Sequence, residues 1–164
     1  MEGTGQTSKE YFNVLTIIHA ALTYGQVFFG LVFFYLNTNL LSPNNGDIYD
    51  IFIFVVPATV VMGFVASTFL MKARLGAIKK MSGLKEKLRN YRTAFIIRMA
   101  LLESPSFFAL VAYYLTGNYF FLGLSGIIII VFVIERPTRS KVAMDLELNM
   151  GDKALLDNPE AIVA

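Results

Sequence analysis

Val14 to Leu36 reads VLTIIHAALTYGQVFFGLVFFYL, 23 consecutive residues without a formal charge. A spanning helix needs roughly 20 such residues to cross a hydrocarbon core about 30 Å thick. In lipid every backbone N–H and C=O must be paired internally, which a single segment achieves only as a helix. Three more apolar runs follow: Ile51 to Met71, Thr93 to Thr116 and Tyr119 to Ile134. The third holds two charges, Arg98 and Glu103. The fourth is short and would span with little tilt or with local thinning of the bilayer.

Composition agrees. The 164 residues are 55% hydrophobic and 16% charged. Soluble domains run at about 45–50% apolar and about 25% charged, which disfavours an ordinary soluble enzyme. With no Cys and one His, disulfides, thiolate nucleophiles and Cys-ligated zinc are excluded. A His-based metal site would need carboxylates as its other ligands, and neither a metal nor a cofactor is expected. There is no GxSxG, HExxH or nucleotide loop. The formal charge of +2 gives no reason to expect nucleic-acid binding.

Charge distribution orients the spans. Asn37 to Asp50 carries acids but no Lys or Arg, and Gly117-Asn118 is an uncharged tight turn. Lys72 to Arg92 carries eight cations against one acid, Glu86. The segment after Ile134 adds Arg136, Arg139, Lys141 and Lys153. The positive-inside rule therefore puts the loop and the tail in the cytoplasm, and both termini with them. The first span exceeds a signal peptide's apolar core and reads as a retained anchor. The expectation is an all-α integral membrane four-helix bundle in a bacterial inner membrane. Residues 1–134 form the membrane domain, with spans at about 14–36, 51–71, 93–116 and 119–134. Residues 135–164 form a cytoplasmic tail with a short helix.

Loop 72–92 is expected to continue the flanking helices, break at Ser82-Gly83 and touch anionic lipid. In the tail, Thr138 is the expected cap of a helix running to about Asn149, and Met150-Gly151 its end. Tyr113, Tyr114, Tyr119 and Phe120 fit an outer aromatic belt, Tyr11 and Phe12 an inner one.

Ionisable groups at membrane depth are functional candidates by default. Here they are His19, Arg98 and Glu103. At about 1.5 Å per residue, His19 and Arg98 lie roughly 7–8 Å into their spans, Thr23 and Glu103 roughly 14–15 Å. Thr16, His19, Thr23, Gln26 and Gly30 follow one face of the first helix. Thr59, Gly63 and Ser67 form a small-residue face suited to close packing. Arg98 and Glu103 differ by about 140° around their helix, so each is expected to find its partner elsewhere. A carboxylate near the midplane is costly when ionised, the condition for reversible protonation. Pro57 and Pro105 are expected helix kinks, the second freeing a carbonyl beside Glu103 that Ser104 and Ser106 help to satisfy.

Arg89 to Thr116, RNYRTAFIIRMALLESPSFFALVAYYLT, resembles the second helix of rotary ATP synthase c subunits. The likeness lies in the basic-polar start, the RTAFII run and the Ala-Leu-Leu-Glu segment. It implies that Glu103 corresponds to the carboxylate that binds and releases the translocated ion. The chain departs from that family at Arg98, at Pro105, in its glycine-poor preceding helix and in its added first span and tail. As a whole it resembles a four-span bacterial membrane protein.

Three functions are open. The first is a non-enzymatic subunit or scaffold of a membrane assembly, a homo-oligomer or a larger complex, with a polar layer centred on Glu103. The second is an oligomeric proton-linked transporter or channel using Glu103, with His19 as relay and Arg98 as charge partner. The third is a membrane enzyme acting on a lipophilic substrate. Four-span glutathione-using enzymes share this layout, but their polar motif in the second span is missing here.

Overall fold

A computed structural model describes residues 5–39 and 46–164 of the chain. It is all-helical: α1 (Ser8–Asn39), α2 (Gly46–Ile78), α3 (Leu84–Thr116), α4 (Tyr119–Ile134), α5 (Arg139–Asp145) and α6 (Met150–Asp157). The first three are each long and apolar enough to cross a membrane. At 16 residues α4 is about 24 Å long. It counts as a fourth span together with α5, to which it is bent by 88°. This is the make-up of a multi-pass membrane protein. Residues 40–45, in the middle of the acidic loop, lie outside the described residues.

The helices outrun their apolar segments. Loop 72–92 is mostly helix, with α2 reaching Ile78 and α3 starting at Leu84. The break falls at Ser82-Gly83, as expected, and Gly83 has φ +88°. That conformation is costly for any residue with a Cβ. Gly117 ends α3 in the left-handed conformation, its N–H bonded to Tyr113 O. Asn118 caps α4 by accepting from Phe120 N–H.

The bundle centres on α3, which packs against α1, α2 and α4. Its buried residues run from Leu84 through Tyr91, Phe95, Met99 and Leu102 to Tyr113. By contrast α1 and α2 expose Phe28, Leu31, Phe54, Met62 and Phe69. In water such a surface would be an association liability; against acyl chains it has no such cost.

The closest approach joins α2 and α3. A Cβ on Gly63 would stand 2.7 Å from Pro105 Cγ and 3.0 Å from Leu101 O. Pro105 has no N–H, so Leu101 O loses its usual helical donor. The bare Cα of Gly63 fits over that freed carbonyl and the pyrrolidine ring. Both prolines sit inside helices that run on without a break.

The tail differs from its expected form. Thr138 caps α5 through Lys141 N–H, but the helix stops at Asp145 and α6 starts at Met150. Glu147 turns the chain with φ 49°, and Asn149 accepts from Asp152 N–H to cap α6. Met150-Gly151 thus opens a helix instead of closing one, because the Asn149 cap outweighs the glycine. The tail also folds back. Ser8 N–H bonds Ala161 O, Val163 N–H bonds Gln6 O, and Ser8 Oγ donates to Leu156 O. The two ends of the described chain therefore lie on the same side of the bundle, next to the 79–83 turn. Tyr11 and Phe12 are core here, not an aromatic belt, since both are buried and Tyr11 OH donates to Leu88 O. Tyr113 is likewise buried, while Tyr119 and Phe120 are exposed.

Substituting Gly63 by Ala should lower stability by about 1–3 kcal/mol, the usual cost of overpacking. Gly123→Ala, where a Cβ meets nothing within 4 Å, should leave stability unchanged or raise it. Thermal unfolding of both variants in one detergent checks the pair.

Candidate functional site

The polar groups in the spans converge on the last turn of α4. There the cap N–H of Glu135 bonds Phe132 O and Val131 O. His19 Nε2 lies 2.7 Å from Phe132 O. A carbonyl only accepts, so Nε2 carries the hydrogen of this contact. The ring sits between Phe95 and Phe132, at centroid distances of 6.4 and 6.1 Å. Three residues on, Glu135 accepts from Arg98 Nη2 at 2.8 Å and is also bonded by Lys141 Nζ. All three side chains of this cluster are largely buried. One carboxylate thus ties α3, α4 and α5 together, and His19 adds α1.

The sequence places His19 and Arg98 at one depth. The two do not bond each other but hold adjacent positions on α4. The sequence reading left out Glu135. Its signal was available: α3 and α4 are antiparallel neighbours, and Glu135 closes α4 at the end where Arg98 enters α3.

The deeper layer is not drawn together by hydrogen bonds. Thr23 Oγ1 donates to His19 O on its own helix, at 2.8 Å. Gln26 is fully buried, its Nε2 reaches Leu22 O at 3.4 Å, and its Oε1 has no partner. Glu103 is half-buried and has neither a hydrogen bond nor an ion pair among the described residues. The α1–α3 register follows from His19 beside Phe95, Phe29 beside Phe107 and Gly30 beside Leu110. The same offset puts Gln26 level with residues 102–106, the turn that holds Glu103.

Beside Pro105 the two serines part ways. Ser104 Oγ donates to Ala100 O at 3.0 Å, not to Leu101 O, the carbonyl that Pro105 frees. Ser106 Oγ instead meets Ser125 Oγ of α4 at 2.9 Å. Both of these serines are fully buried, so this is a helix-to-helix contact. No three His, Asp or Glu side chains converge as metal ligands would among the described residues.

No protein-family model, curated protein or solved structure matches the chain. The likeness of residues 89–116 to c subunits is therefore a local one, and it assigns no family.

Arg98→Met should cost about 1–3 kcal/mol, because Glu135 loses its guanidinium while buried. Adding Glu135→Gln should recover part of that loss. A double-mutant cycle by thermal or denaturant unfolding should give a coupling above about 0.5 kcal/mol. Additive effects would mean the pair contributes nothing.

Proposed function

We propose that this chain is a multi-pass subunit or scaffold of a membrane assembly, placed in a bacterial inner membrane with both ends in the cytoplasm. The supporting observation is how its polar groups are used. His19, Arg98, Ser106 and Ser125 are engaged in bonds between helices. Such bonds hold a bundle together; they do not line a path or poise a nucleophile. The exposed apolar faces of α1 and α2 leave wide surfaces for lipid or a neighbouring chain. Glu103 then needs a partner from outside the chain, which a second copy or another subunit supplies. Anionic lipid at the exposed cations of loop 72–92 completes the expected set of partners.

Orientation rests on the positive-inside rule. Alkaline phosphatase fused after Asn118 should be active, and fused after Gly83 inactive. The reverse pattern would overturn the orientation.

Glu103→Gln tests the assembly reading against its rival. As an assembly subunit, the variant keeps its folding and its oligomeric mass, within roughly 0.5 kcal/mol of the parent for a neutral near-isostere. The rival is a proton-linked oligomeric transporter, favoured by the half-buried Glu103, which has neither a hydrogen bond nor an ion pair among the described residues. On that reading proteoliposomes take up protons with the parent and fail to with Glu103→Gln. Proton flux lost while assembly is retained would replace the first reading with the second.

A further inference from the structure

The end of α4 carries more positive charge than the chain itself neutralises. Arg98 and Lys141 meet one carboxylate, Glu135, and Arg136 and Arg139 follow it in the chain. Glu135 takes Arg98 and Lys141. The nearby tail acids are engaged elsewhere: Asp145 accepts from Tyr91 OH, and Glu147 pairs with Lys79. Arg136 and Arg139 are left without an ion-pair partner among the described residues.

Both arginines are positioned against one face of α1. The guanidinium of Arg139 lies 5.7 Å from the centroid of the Phe12 ring. Arg136 lines a groove of about 360 Å³ with Thr16, His19, Ala20, Thr23 and Val133. Thr16 is one turn beyond Phe12, so the two cations stand about one turn apart along the helix. The Thr16 hydroxyl makes no hydrogen bond among the described residues. The volume lies in the range of ordinary ligand pockets.

The two ends of the groove differ in chemistry. Its mouth is at the start of the apolar run, with the Arg136 guanidinium and the Thr16 hydroxyl, and Arg139 stands beside it over Phe12. Its depth, roughly 14 Å into the span at Thr23, is lined by Ala20, Tyr24 and Val133. A guanidinium pair matches the oxygens of a phosphate, and an apolar continuation into the bilayer matches an acyl chain. We propose that this groove binds one anionic phospholipid, its phosphate held by Arg136, Arg139 and the Thr16 hydroxyl and its chain laid against Ala20 and Val133. The site is separate from the basic turn at 79–83, and it does not depend on the assembly reading.

The test is native mass spectrometry of the full chain released from nanodiscs of phosphatidylcholine containing phosphatidylglycerol. The parent should keep one phosphatidylglycerol in preference to phosphatidylcholine. Removing both cations with Arg136→Ala and Arg139→Ala should weaken that binding roughly tenfold or more. Lys9→Ala with Lys153→Ala removes equal charge from exposed positions outside both this groove and loop 72–92 and should leave it unchanged. Inorganic phosphate at millimolar concentration should not displace the lipid. The proposal fails if the parent shows no preference between the two lipids, a result that needs no variant to fold. It also fails if the Lys9 and Lys153 control weakens binding equally, or if phosphate alone displaces the lipid. The last outcome would mark a site for soluble anions.

Discussion

Inside hydrocarbon a polar side chain or an unpaired carbonyl finds no water, so each must be bonded within the protein or bear a cost of several kcal/mol. This requirement explains why α3, the most polar of the spans, is also the most enclosed. Its Arg98 and Ser106 point at α4, and Pro105 is covered by Gly63 of α2. The purely apolar faces are left to α1 and α2, where lipid serves as well as protein. The central position of α3 thus follows from its chemistry.

At the end of α4 the same requirement acts on the backbone. A helix that stops inside or near the bilayer leaves carbonyls open. Phe132 O takes both the Glu135 N–H and His19 Nε2, and the Glu135 carboxylate is locked by two cations. The chain then turns by 88° and runs back beneath α1 and α3. Tyr91, Lys79 and Ser8 fasten the tail to three different helices or turns. The tail is therefore a folded cap on the bundle, and its last residues hold the start of α1.

Most of this architecture could be read from the sequence, for a physical reason. Apolar runs of 20 or so residues admit few structures, and Gly83, Gly117 and Thr138 mark turns by local chemistry alone. Contacts that depend on which faces meet were less legible. The separation of Arg98 from Glu103 around α3 was derivable, but the identity of Arg98's partner required knowing that α4 ends beside it. Tyr11, Phe12 and Tyr113 look like an interfacial belt in the sequence, since a belt and a capped core use the same residue types. Only the return of the tail over α1, and the turn at Gly117, bury them. The two-helix tail was missed because Asn149 had been read as the end of a helix, when its side chain begins one.

Glu103 is where packing alone stops being sufficient. An Arg, Lys or Asp at a span's centre costs about 2.5–3.5 kcal/mol on insertion scales. A helix-to-helix polar contact returns about 0.6 kcal/mol on average in membrane proteins. For Arg98 the gap is narrowed by a buried carboxylate and by closeness to the interface, where a long side chain reaches water. For Glu103 neither relief exists: it lies deeper, its side chain is shorter, and no cation meets it. An apolar residue at this position would make the isolated bundle more stable. On the readings proposed above, something from outside the chain meets the carboxylate, either a donor on a neighbouring subunit or a proton. The two functional readings differ in which of these it is, and on α1 the buried amide of Gln26, with an oxygen to spare, lies level with this turn of α3.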